Sequence, residues 1–169
     1  MFDFFLISKI DIKDSYIREI VNNIQIKDNK KLKVVIDCGN GASGCVAPKL
    51  FKELGCEVIE LYTEIDGNFP NHHPDPSEPK NLVFCKNRLL ELKYNVGFAF
   101  DGDGDRLGVI DDKGRAISGD KLLLLLAKEM LKSTKCKVIA DVKCSQVLFD
   151  EVERLGGEIF MCKTGHSHV

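Results

Sequence analysis

No apolar run in the chain reaches the roughly 18 residues that a membrane-crossing helix needs, so nothing in it reads as a membrane span. Basic charge is not in excess either: Lys and Arg total 24 against 26 Asp and Glu, for a formal net charge of −2. Nucleic-acid backbones are bound by clustered Lys and Arg, so nucleic acid is set aside as a partner. None of the 7 cysteines stands in a C-x-x-C pair. Their odd number and wide spacing argue against a disulfide framework or a structural zinc, and for reduced thiols in a cytoplasm. The apolar stretch over residues 1–10 is broken by Asp3 and carries neither a basic lead nor a small-residue cleavage site, so it does not read as a secretory signal.

What is present is a mixture suited to a packed core with a soluble surface: 44% hydrophobic and 30% charged residues over 169 positions. Ile17, Ile20, Val21 and Ile24 recur at spacings of three and four and predict a helix over 14–24. A polar, Lys-rich linker over 26–33 follows. Strands are expected at 32–37, 57–62, 96–100 and 106–111, with Asp112-Lys113-Gly114 as a hairpin turn and Ile117 in a short fifth strand. Helices are expected at 47–54, with Pro48 near its start, and at 80–92. Residues 63–79, rich in Pro, Asn, Asp and His, read as loop.

A second unit starts near Ser118. Asp120 is placed as the N-cap of a helix over 121–131, followed by a strand at 137–141, a helix at 145–155 and a strand at 158–161. Strands alternating with helices mean βαβ units. The fold class expected is therefore α/β, with a mostly parallel mixed sheet followed by a truncated second α/β unit of the same kind. Such a cut-short unit would expose Val138, Ile139, Ile159 and Phe160 and invite aggregation or local disorder after about residue 118.

Asp101-Gly102-Asp103-Gly104-Asp105-Arg106 is the strongest chemical signal. Three carboxylates so close raise one another's pKa unless a cation compensates, and the glycines let the backbone bend until they converge. Oxygen-only ligands suit Mg²⁺ or Ca²⁺, and three carboxylates with open positions suit Mg²⁺ bridging to a phosphate. An EF-hand is disfavoured, because its sixth position needs Gly and here holds Arg106. A solvated acidic turn is the plain alternative. The other signal is Gly39-Asn40-Gly41-Ala42-Ser43-Gly44, which matches G-x-G-x-x-G between a strand and a helix, with Glu57 and Glu60 downstream. Alone it supports an NAD-binding oxidoreductase domain. Its plain alternative is a tight turn in which glycine permits close packing. Three clustered carboxylates on a later strand have no place in a nicotinamide site, and they weigh against that rival.

Taken together, the segments 35–44 (VIDCGNGASG), 66–76 (DGNFPNHHPDP), 98–108 (FAFDGDGDRLG), 141–145 (DVKCS) and 163–167 (KTGHS) resemble the α-D-phosphohexomutases, and within them the bifunctional phosphomannomutase/phosphoglucomutase group. The resemblance covers nearly all of 14–169. It implies Mg²⁺-dependent exchange of a phosphoryl group between a phosphoserine and a hexose phosphate, with mannose or glucose phosphates as substrates. It assigns 1–30 to an N-terminal segment and the last helix of a missing first domain, 31–117 to the metal-loop domain, and 118–169 to the truncated start of a third.

The same resemblance makes Asp101, Asp103 and Asp105 metal ligands. It places Arg106 at the phosphate, where a guanidinium fork suits the oxygens, and Lys143 and His166 facing the sugar phosphate. A Lys after a strand is ordinarily a surface residue, and a His in a Gly-containing turn is ordinarily not catalytic; both assignments come from the family. His72 and His73 receive no ligand role. The phosphoserine loop is absent from the chain, which implies a fragment inactive alone, one part of an enzyme that a separate chain completes, or a non-catalytic gene remnant.

Overall fold

The computed structural model describes residues 9–24 and 31–165. The expected linker at 26–33 falls largely outside them, as do the start of the chain, His166 and Ser167. The chain divides after Arg115 into two compact units.

In the first unit, helix α1 (Lys13–Asn23) precedes strand β1 (Lys33–Asp37). A 3-10 turn (Ala42–Cys45) leads into α2 (Ala47–Glu53), and β2 (Glu57–Leu61) follows. A second 3-10 turn (Pro79–Leu82) opens α3 (Val83–Leu92), then come β3 (Val96–Phe100) and β4 (Leu107–Asp111). β1 lies between β2 and β3 and pairs with both in parallel, whereas β4 returns antiparallel to β3. The two-residue β5 (Ala116–Ile117), which falls just past the division, ends the sheet order β2-β1-β3-β4-β5. The mostly parallel α/β expectation is met.

Strand periodicity explains the layering. Val34 and Ile36 face one side of β1 and pack with Ala47 of α2 and Cys56, while Val35 faces the other and packs with Cys85 and Leu89 of α3. Both faces of the central strand are thus covered, as a parallel sheet requires. Gly97 permits the approach of α3: a Cβ there would stand 2.8 Å from Cys85 Sγ. Helix α1 lies against α2, buries Ile17 and joins it through Lys49 Nζ and Asp14 Oδ1 at 2.6 Å.

In the second unit α4 (Gly119–Met130), β6 (Lys137–Asp141), α5 (Gln146–Arg154) and β7 (Glu158–Cys162) enclose a core of Ala127, Val138, Ala140, Leu148, Phe149 and Val152. β6 and β7 pair in parallel. Ile139 and Phe160 are partners in that register, and both are about half exposed, at 44% and 48%.

The position of Asp120 corrects the sequence expectation. Ser118 is the N-cap and Asp120 sits in the first turn of α4, where its Oδ2 accepts the backbone N–H of Ser145, the N-cap of α5. Its carboxylate ties two helix starts together instead of capping one. Hydrogen bonds from the Ser118 hydroxyl and from Ser145 hold its pKa far below the usual carboxylate value.

Candidate metal centre

The acidic loop is the connection between β3 and β4, closed at its neck by the Asp101 N–H donating to the Arg106 carbonyl at 3.2 Å. Asp101, 3% exposed, sits at the carboxyl end of β3. Its Oδ1 accepts the backbone N–H groups of Gly104 and Arg106, each at 3.0 Å, and its Oδ2 accepts Arg106 Nε at 2.7 Å. Gly104 takes φ +81°, a left-handed conformation that turns the loop back on Asp101. Asp103 and Asp105 are exposed.

One carboxylate oxygen from each of Asp101, Asp103 and Asp105 can be chosen so that all three lie within 4.8 Å of one another. Around Mg²⁺, ligands about 2.1 Å from the ion stand about 3.0 Å apart when adjacent and about 4.2 Å apart when opposite, so closing the set calls for a movement of up to about 1–2 Å. Exposed aspartates beside glycine can make that movement. The electrostatics agree with an all-oxygen cation site. Burial pushes Asp101 up, but the Arg106 backbone N–H and guanidinium outweigh it and hold the carboxyl low. Asp105 is pushed up, first by its hydrogen bond with Asp101 and then by the Asp103 charge. The crowding of negative charge behind that rise is what a bound cation would offset. The donor set therefore fits a hard divalent ion.

Arg106 completes the constellation. Its Nη1 donates to Asp75 Oδ1 at 3.2 Å, and 58% of its side chain remains exposed and able to meet an anion. Asp75 was not singled out by the sequence, since its contact spans 31 positions and no local pattern marks it.

The glycine-rich turn supports this loop from behind. A Cβ on Gly41 would stand 2.6 Å from the Gly102 carbonyl oxygen, and one on Gly44 would stand 2.1 Å from that of Thr63. The Ala42 N–H donates to the Gly102 carbonyl at 2.9 Å. Gly39, at φ +51°, packs on Pro74, where a Cβ would meet Pro74 Cβ at 2.9 Å. Close packing against protein accounts for all three glycines, so the pattern does not require a dinucleotide.

In the second unit, Lys143 lies in the turn after β6. Its backbone N–H donates to Asp141 Oδ1 at 2.6 Å, and the residue is exposed. His166 falls outside the described residues.

The class defined by this fold and loop is an α/β domain presenting an acidic, cation-competent hairpin loop at the carboxyl end of a parallel strand. Residues 14–114 match the phosphoglucomutase/phosphomannomutase alpha/beta/alpha domain II, and residues 118–169 match alpha/beta/alpha domain III of the same family. The chain belongs to the phosphoglucomutase/phosphomannomutase family. A phosphomannomutase/phosphoglucomutase of Pseudomonas putida is 49% identical over 162 residues, which are 95% of this chain and 35% of that protein. A phosphoglucomutase of Neisseria meningitidis is 45% identical over 164 residues, 96% of this chain and 35% of that protein. The crystal structure of a phosphoglucomutase/phosphomannomutase family protein from Burkholderia thailandensis superposes with a TM-score of 0.87 at 49% identity, covering 93% of this chain and 34% of that one. The chain thus spans about a third of the length of the curated relatives it matches.

Proposed function

We propose that this chain supplies the cation-loop portion of a phosphohexomutase that interconverts hexose 6-phosphate and hexose 1-phosphate, mannose and glucose phosphates being the substrate class. The convergence of Asp101, Asp103 and Asp105 beside an Arg106 still open to an anion carries this reading. Asp101, Asp103 and Asp105 would hold Mg²⁺, which neutralises charge on a transferring phosphoryl group. The chain's own part is preorganisation. Asp101 is fixed by two backbone donors before any ligand arrives, and Arg106 is aimed by two carboxylates, so little reorganisation remains when an anion binds.

The phosphoserine that donates and recovers the phosphoryl group lies outside the portion of the family that this chain matches. On the family resemblance, Lys143 and His166 are assigned to the sugar phosphate. The hollow beside Asp103, about 380 Å³ and lined by Tyr16, Phe51, Phe100 and Leu107, is too apolar to serve the sugar hydroxyls. We assign the chain no turnover by itself and a cytoplasmic setting, the latter on its seven free cysteines.

The test is Mn²⁺ titration by calorimetry on this chain and on Asp103→Asn, with NAD in parallel. Metal binding that the variant loses, without NAD binding, supports the reading. NAD binding without a metal response would sink it.

A further inference from the structure

The segment 66–76 contributes no acidic ligand to the loop, yet it surrounds it. Phe69 and Pro74 lie against Gly102, where a Cβ would meet Phe69 Cζ at 3.4 Å and Pro74 Cγ at 3.5 Å. Asp75 takes Arg106, and Pro76 packs on Gly108, where a Cβ would stand 2.8 Å from Pro76 Cβ. What fastens this segment is found at its centre. His72 Nε2 lies 3.1 Å from both carboxylate oxygens of Asp37, the last residue of β1, and Asp37 is fully buried. The same carboxylate accepts the Gly39 N–H at 2.9 Å, tying it to the start of the glycine turn. His72 Nδ1 lies 3.0 Å from the His73 carbonyl oxygen.

Both ring nitrogens thus face acceptors only. A neutral imidazole has one donor, so this arrangement favours the imidazolium, and with that proton in place His72 forms an ion pair with the buried Asp37 carboxylate. Phe84 stacks on the ring and Tyr62 meets it edge-on, at centroid distances of 6.2 and 5.4 Å. Next to the pair, the Asn71 amide donates to Asn40 Oδ1 at 2.7 Å, a second tie between the same two segments.

We propose that His72, paired with Asp37, is a positioning residue for the acidic loop. The pair clasps segment 66–76 to the end of β1, and that segment then fixes Gly102 through Phe69 and Pro74 and Arg106 through Asp75. The proposal rests on reading Asp101, Asp103 and Asp105 as cation ligands only for its metal arm; the loop geometry can be tested without metal.

The experiment measures hydrogen exchange, in EDTA, at the Gly104 and Arg106 amides, the two donors to Asp101 Oδ1, with the Ile59 amide, on the β1 side of β2, as reference. His72→Phe keeps a ring but loses both donors. It should speed exchange at the two loop amides about tenfold relative to Ile59. His72→Gln, whose amide nitrogen can take the place of Nε2, should restore most of the protection. A folded His72→Phe chain with unchanged exchange at both amides would overturn the proposal.

Should that variant not fold, the wild-type chain decides. The other titratable groups at the pair are Tyr62, Cys38, Cys85 and the neighbouring His73, whose carbonyl meets the ring and whose charge reaches Asp75. Burial moves Tyr62 and the two thiols further up, Cys38 to about 11 and Cys85 to about 12, and His73 is told apart from His72 by its own ring ¹⁵N shifts. Loop-amide protection should fall in step with loss of the His72 ring proton, followed by ring ¹⁵N shifts; constant protection through that titration refutes the clasp.

In the metal arm, Mn²⁺ affinity should drop about tenfold in His72→Phe, the size expected when outer support of a ligand set is removed. Unchanged affinity counts against the clasp. A wild-type chain that binds no Mn²⁺ overturns the metal reading alone, with the amide result still standing on its own.

Discussion

Arg106 donates through Nε to Asp101 Oδ2 at 2.7 Å, so the cation assigned to meet phosphate is fixed by a carboxylate assigned to meet metal. The two roles compete for one oxygen. Arg106→Ala should therefore lower stability by about 1–3 kcal/mol, because a buried carboxylate loses its charged partner. The same change should tighten Mn²⁺ binding severalfold by removing a neighbouring positive charge. Thermal melting and calorimetry on one variant would show the two effects moving in opposite senses.

Asp103 is exposed, so its proposed role is that of a cation ligand rather than of a packing residue. Asp103→Asn should leave melting in EDTA within about 0.5 kcal/mol of wild type, the range of ordinary surface changes. Its Mn²⁺ affinity should fall at least about tenfold, because a charged oxygen ligand becomes a neutral one.

Two glycines separate crowding from backbone strain. Gly41→Ala forces a methyl to 2.6 Å from the Gly102 carbonyl oxygen and should destabilise by about 1–3 kcal/mol while also weakening Mn²⁺ binding. Gly55, at φ +87° with nothing within 4 Å of a Cβ, carries only the strain. Gly55→Ala should cost about 1 kcal/mol and leave Mn²⁺ affinity unchanged.

The Asp37–His72 pair gives stability a pH dependence of definite sign. Hydrogen bonding to Asp37 raises the His72 pKa above its usual 6.5. A raised folded-state pKa means that the contribution is fully present below about 6.5 and is lost as pH rises through the folded value. Denaturant unfolding across pH 6 to 9 should show this loss, and His72→Phe should abolish that slope. A slope that survives in the variant would assign it to another group.

Ile139 and Phe160 are register partners on the side of the β6–β7 sheet that no helix among the described residues of the second unit covers. The pair forms an exposed apolar spot beside open strand edges. Phe160→Thr should reduce self-association in light scattering at matched concentration, with stability changed by no more than about 1 kcal/mol.

The periodic features of this fold could be read directly from the sequence. Strand β3 was expected over the residues it occupies because Val, Phe and Ala run straight into a charged turn. The converging Asp loop was legible for a similar reason, as its whole pattern lies within six consecutive residues. Long-range contacts were not legible. The pairing of His72 with Asp37 spans 35 positions, and a histidine in a Pro-rich loop offers no pattern that names its partner. The glycine turn carried a true local signal with two readings, and only its packing on Gly102 and Thr63 chose between them. Asp120 had the composition of a cap, but the residue that accepts that role is decided by where the chain enters α4, and there Ser118 comes first.

The antiparallel return of β4 along β3 has a consequence for the order in which the site is made. Its register runs from Phe100 opposite Leu107 to Val96 opposite Asp111, so the three aspartates sit in the bend of a local hairpin. Hairpins close on a microsecond scale, with little loop entropy to overcome. The clasp at His72 and the backing at Gly41 need distant segments, whose closure costs more loop entropy. We therefore expect the acidic bend to gather first and its hold on a divalent ion to sharpen as the long-range contacts form.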